Sequence, residues 1–133
     1  MSSTKCKKVT LLDISSISPI EGHSKKRVAW LSEKIINEGI WTMPLRVEKT
    51  KNLLMDGHHR FEVAKALKLK FVPAEIYDYD EVKVYSLRAS RLVTPAEIFK
   101  NHKEGIIYPY KTAKHIFELG DANFKGVSLD DLR

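Results

Sequence analysis

The apolar run Leu53-Leu54-Met55 meets Asp56-Gly57-His58-His59-Arg60 with no spacer, and Phe61, Val63, Ala64 and Leu67 follow. This order predicts a short strand that ends in a glycine turn and feeds directly into a helix, so strand and helix must share one core. The first backbone N–H groups of such a helix have no partner within it, and the helix dipole adds partial positive charge, which suits an anion. His58, His59 and Arg60 surround the same point with side-chain donors, and Asp56 is placed to hold a magnesium ion against phosphate oxygens. The alternatives are that Asp56 only caps the helix and that one histidine is a half-buried structural residue. A zinc site is not expected, because adjacent histidines diverge and neither a His-Glu-x-x-His pattern nor a cysteine partner accompanies them.

The rest of the chain reads as strands followed by helices. Val9 to Ile14 is expected to be a strand, and Ser18 to His23 a loop. Ser24 suits the N-cap of a helix running to about Asn37, with Gly39 at its C-terminal cap. Val28, Leu31 and Ile35 recur at helical spacing and are expected in the core, with Trp30 and Trp41 as packing residues. Leu45-Arg46-Val47 alternates as a strand, and residues 49–52 turn back. Phe71 to Tyr77 is a further strand, which Pro73 pushes toward a sheet edge, and Val82 to Leu87 another. Thr94-Pro95-Ala96-Glu97 opens a helix that stops near Gly105. A second helix is expected between Tyr108-Pro109-Tyr110 and Gly120, and a last turn over Ser128 to Leu132. The class is α+β, with a small mixed sheet and a helical C-terminal part. The 133 residues suit one domain over 9–133, divided into a core (9–90) and a helical extension (91–133), after a flexible basic tail (1–8).

Charge narrows the class of partner. There are 23 Lys and Arg against 17 Asp and Glu, and residues 1–51 hold ten of the former and five of the latter. An anionic partner fits: a nucleotide, a phosphorylated metabolite or a nucleic acid; ordinary solvated surface charge fits as well. Lys25, Lys26 and Arg27 occupy the first turn of the first long helix, where cations oppose the dipole unless phosphate or solvent screens them. Glu21, in the loop just ahead, is placed to act as a general base on a substrate hydroxyl or simply to be solvated. Lys111-Thr112-Ala113-Lys114-His115 gathers donors at an expected helix start, with Thr112 and His115 one turn apart; the alternative is an amphipathic surface helix. No run approaches the ~20 apolar residues of a membrane span. The lone Cys6 has no disulfide partner, and a soluble, cytoplasmic protein is expected.

The order of these motifs resembles the ParB/sulfiredoxin-like domain over roughly residues 9 to 90. The turn separates the branches of that fold. Sulfiredoxins carry Gly-Cys-His-Arg, and here His58 stands in the place of their reactive cysteine. ParB proteins carry Gly-Glu-Arg-Arg and continue into a helix-turn-helix module, for which too little sequence follows here. The free L-serine kinases of the fold carry Asp-Gly-His-His-Arg, matched by Asp56 to Arg60, and a catalytic glutamate before the first long helix, matched by Glu21. Leu69 to Tyr79 and Tyr108 to His115 look similar too, extending the resemblance to about residue 116. It implies phosphoryl transfer from ATP or ADP, with Mg2+, to the hydroxyl of free serine. Gly57, His58, His59 and Arg60 would cradle phosphates, Asp56 would lie near magnesium, Glu21 would orient or deprotonate the serine hydroxyl, and Lys111, Thr112 and His115 would hold serine or its phosphate product. The alternative is a ParB-like, nucleotide-responsive DNA-binding regulator without kinase activity.

Overall fold

The computed structural model describes residues 7–117 and 124–133. Four strands, β1 (Val9–Asp13), β3 (Leu45–Glu48), β4 (Leu54–Asp56) and β5 (Phe71–Tyr77), form a sheet of order β1-β5-β3-β4. The sheet is mixed: β5 runs antiparallel to β1 and parallel to β3, and β3 runs antiparallel to β4. Helix α1 (Lys25–Glu38) lies between β1 and β3, and α2 (His58–Ala66) lies in the crossover from β3 and β4 to the parallel strand β5; both cover the sheet. Leu31 and Ile35 of α1 and Phe61, Val63 and Ala64 of α2 bury themselves with Leu45, Val47, Leu54, Val72 and Ala74 of the sheet. The α+β class and the small mixed sheet are those expected.

Helix α1 begins and ends where its sequence says. The Ser24 hydroxyl accepts the Arg27 N–H at the N-terminus, and Gly39 closes the helix in the left-handed conformation. Helix α3 (Pro95–Glu104) likewise has the Thr94 hydroxyl accepting the Glu97 N–H and stops at Gly105. It rests on a second apolar cluster of Ile20, Leu53, Val93, Ile98 and Tyr108. A last turn over Leu129–Leu132 returns Leu129 and Leu132 to the main core.

Four expectations need correction. The second C-terminal helix does not form: Ala113–Phe117 is a strand, β7, paired antiparallel with β6 (Val82–Ser86). The segment pairs instead with the edge that β6 offers, so among the described residues the C-terminal part holds one α-helix; Gly120 lies outside the described residues. Pro73 sits on β5, an interior strand, yet β3 begins opposite Ala74, so at Pro73 only β1 is a neighbour. Trp30 is not a packing residue, being 65% exposed, whereas Trp41, in the two-residue strand β2 (Ile40–Trp41), is wholly buried. Lys7 belongs to the folded structure rather than a flexible tail: its ammonium pairs with Glu81 at 2.7 Å and lies over the Tyr77 ring. Among the described residues no helix is long and apolar enough to cross a membrane.

Candidate active site

The turn between β4 and α2 is built around one backbone conformation. Gly57 has φ +98°, and a Cβ there would stand 2.6 Å from Leu45 Cδ2, so both strain and contact demand glycine. No side chain caps α2, which excludes Asp56 as its cap; Asp56 is exposed at the end of β4. Gly57→Ala is expected to destabilise the protein by roughly 2 kcal/mol, read as a lower urea midpoint at unchanged slope. An unchanged midpoint would show that the turn relaxes freely.

That turn opens into a cavity of about 390 Å³. Asp56, Gly57, His58, His59 and Arg60 line one side, Ile20 and Glu21 the loop side, and Ala113, Lys114 and His115 of β7 a third. Helix α1 supplies Arg27, Trp30, Leu31 and Lys34. Arg27, Lys34, Arg60 and Lys114 thus outnumber Glu21 and Asp56, and among the described residues none of these four cations is within ion-pair distance of a carboxylate. Unpaired cations beside a helix N-terminus make a field suited to a multiply charged anion.

The two histidines work differently from the expectation. His58 Nε2 accepts the Ile20 N–H at 3.2 Å, and His59 Nε2 accepts the Ser24 N–H at 3.1 Å. Both rings are therefore neutral, with the proton on Nδ1, and at Nε2 they are acceptors rather than phosphate donors. Burial pushes His58 down to about 3, helped by the neighbouring His115, His59 and His23, and burial also lowers His59. The pair clamps both ends of the segment that carries Glu21, fixing the loop against the start of α2.

Glu21 is held from the other side too. Its Oε1 accepts the Ala113 N–H at 2.9 Å. Burial raises its pKa, against the opposing pull of the backbone amides of Ala113, Thr112 and Lys111 and the charge of Arg88. A carboxylate raised in this way, in a cavity wall, holds a proton more readily than an exposed one. Arg88 also braces the segment behind it, donating from Nε to the Thr112 hydroxyl at 3.1 Å and from Nη2 to the Tyr110 carbonyl at 2.7 Å.

Of the three residues expected to hold serine, only His115 lines the cavity. Thr112 is fully buried, its hydroxyl donating to the Pro109 carbonyl at 2.6 Å, and Lys111 lies over the Tyr110 ring. Both lie ahead of β7 rather than on a helix with His115, so the one-turn spacing that would have grouped Thr112 with His115 does not exist. His115 Nε2 and the Tyr79 hydroxyl share a hydrogen bond of 2.8 Å, and burial lowers the His115 pKa to about 4 while raising that of Tyr79. Three contributors were not read as site residues: Trp30, Lys34 and Arg88. The first two were legible, since Arg27, Trp30, Leu31 and Lys34 share one helical face. Arg88 carried no local signal.

Comparison with known proteins follows the same lines. No protein-family model matches the chain. Over 78 residues it is 40% identical to the ATP-dependent L-serine kinase of Staphylothermus marinus, a stretch covering 56% of this chain and 31% of that protein. Over 89 residues it is 30% identical to the ADP-dependent L-serine kinase of Thermococcus kodakarensis, covering 62% and 37% respectively. The matched stretch thus spans about a third of each of these curated relatives. A solved free serine kinase in complex with AMP superposes with a TM-score of 0.87 over 98% of this chain and 95% of that one, at 16% identity. The fold is that of the free serine kinases. The fold expected from the resemblance to the serine kinases therefore stands.

Proposed function

We propose that the protein transfers a phosphoryl group from ATP or ADP to the hydroxyl of free L-serine, giving O-phospho-L-serine. The observation that carries this reading is the convergence of Glu21 with the Asp56–Arg60 turn in one cation-lined cavity. Similarity to two L-serine kinases supports the acceptor and the donor. Phosphoryl transfer asks a protein for positioning and charge neutralisation more than for covalent chemistry. The uncapped start of α2 and the Arg60 guanidinium would receive phosphate oxygens, with Arg27 alongside. Glu21 takes the proton of the serine hydroxyl as its oxygen bonds to the terminal phosphorus, and the bond to the nucleotide's bridging oxygen breaks. The acceptor's carboxylate would suit Lys114, with His115 beside it.

Magnesium fits as a shared ligand rather than a resident one. Among the described residues no three His, Cys, Asp or Glu converge on a metal position, so Asp56 would hold the ion together with nucleotide phosphates. When bound it would neutralise charge on the phosphates. A cytoplasmic location goes with this reading, since a kinase of this kind draws on the nucleotide pool there.

Arg60 can grip phosphate with two parallel N–H bonds, which lysine cannot reproduce. Arg60→Lys is expected to weaken nucleotide binding about tenfold with no loss of thermal stability. Equal affinity in a titration of the folded variant would remove Arg60 from the phosphate cradle. The function itself is tested by incubating the protein with serine, magnesium and either ATP or ADP, then assaying phosphoserine. No phosphoserine with either donor, together with DNA binding that weakens steeply with salt, would replace this reading with the DNA-binding regulator.

A further inference from the structure

Glu21 is tied to one short segment of chain through both its backbone and its side chain. Tyr108 receives the loop: its N–H donates to the Ile20 carbonyl at 2.8 Å, and its carbonyl accepts the Gly22 N–H at 2.9 Å. Further along the same segment, the Ala113 N–H reaches the Glu21 carboxylate. The N–H groups of Thr112 and Lys111 turn toward that carboxylate too, and both help to hold it ionised. Successive amides directed at one anion form a nest, which needs a residue in the left-handed conformation. Lys111 is that residue, with φ +59° although it carries a Cβ. The turn therefore keeps a disfavoured backbone shape, and such a shape persists only when its surroundings fix it.

Arg88, just after β6, does the fixing. Its guanidinium donates to the Thr112 hydroxyl and to the Tyr110 carbonyl, so one planar group grips the turn on both sides of Lys111. The adjacent Leu87 N–H donates to the Thr112 carbonyl at 2.7 Å, and the Thr112 hydroxyl passes its own proton to the Pro109 carbonyl. Arg88 is itself anchored by Ser86, whose hydroxyl accepts the Arg88 N–H at 3.0 Å and donates to the Arg88 carbonyl at 2.7 Å. Arg88 does not line the cavity, and among the described residues no carboxylate is within ion-pair distance of it. Its charge bears on Glu21 instead, favouring the ionised form against the effect of burial.

We propose that Arg88 is a positioning residue for Glu21: it locks the 110–113 turn so that the turn's backbone N–H groups hold the carboxylate in the cavity wall. The inference rests on the kinase reading above and adds to it a residue that touches neither nucleotide nor acceptor. Arg88 acts in two separable ways, through the two-point grip of the guanidinium on the turn and through its charge. His58 and Arg60 of α2, Asp56 of β4, Arg27 of α1 and Lys114 and His115 of β7 share the cavity with Glu21. They are the same in every variant of Arg88, so a change in the titration of Glu21 among those variants reports Arg88.

Wild-type protein, Arg88→Lys and Arg88→Gln are compared in two measurements: phosphoserine turnover across pH, and an NMR titration of the Glu21 carboxyl carbon, identified by its absence in Glu21→Gln. Arg88→Gln is expected to move the Glu21 midpoint upward, because the favourable charge is gone and the amides are loosened. Its turnover above both midpoints is expected to fall about ten- to a hundredfold, the effect of a displaced base. Arg88→Lys keeps the charge but not the planar fork. Its midpoint is expected nearer to wild type than that of Arg88→Gln, while its turnover falls nearly as far. A glutamine variant with the wild-type Glu21 midpoint, or with wild-type turnover, overturns the positioning role and leaves the kinase reading standing. Should the glutamine variant not fold, wild-type turnover in Arg88→Lys overturns the role by itself. A wild-type protein that makes no phosphoserine overturns the kinase reading, and the carboxyl titration, which needs no turnover, still decides whether Arg88 holds Glu21.

Discussion

Glu21→Gln is expected to reduce phosphoserine formation at least about a hundredfold while nucleotide affinity stays at the wild-type level. Glutamine keeps the carbonyl oxygen that accepts the Ala113 N–H, so the loop stays anchored, but it cannot take a proton from the serine hydroxyl. The melting temperature is not expected to fall, because the site disfavours charge on this residue: burial raises the Glu21 pKa. The same shift shapes the wild-type pH profile. Under the proposed function, turnover is expected to decline as pH falls through the raised Glu21 value, since only an ionised carboxylate could act as the base. Wild-type phosphoserine production by the glutamine variant would rule out Glu21 as the base.

The second large effect is on acid stability. In the unfolded chain His58 and His115 take up a proton near 6.5; in the folded protein they do so only at about 3 and about 4. The unfolded chain therefore binds more protons throughout that interval. The contribution of both rings is fully present above pH 6.5 and is lost as pH falls, by roughly 2 kcal/mol per ring at pH 5. The lowered carboxylates Asp13, Asp78 and Glu81 act further down, below their ordinary values of 3.8 and 4.5. His58→Gln keeps an acceptor for the Ile20 N–H but does not titrate, so its urea midpoint is expected to change about half as much between pH 7.5 and pH 5 as that of wild type. Equal slopes for the two proteins would show that His58 is not held neutral.

The two histidines also show how a residue can be recognised without its role being read. Their position at the start of α2 was legible from a strand, a glycine and a helical apolar pattern in direct succession. That pattern favoured phosphate donors. The structure instead turns both Nε2 atoms toward the backbone of residues 20–24, which lie more than thirty positions earlier. Tautomer and direction depend on what is packed against a ring, and that information is not local.

The contrast between α3 and β7 has the same origin. Thr94, Pro95 and Gly105 specify their helix through capping and dihedral preferences that operate within a few residues. Pro109 and Gly120 bracket Ala113–Phe117 too, yet its state follows from β6, some thirty residues away, which offers a free edge. With it went the expected grouping of Thr112 with His115.

By itself the sequence determined the α+β class, the glycine turn, and the ends of α1 and α3, because each rests on short-range sterics and periodicity. Only the tertiary structure decided that Glu21 is clamped between two neutral imidazoles and the Ala113 amide, that Thr112 is spent on internal hydrogen bonds, and that Trp30 faces a cavity. Those outcomes depend on which distant backbone groups burial leaves in need of a partner, and a chain settles that only when its elements are assembled.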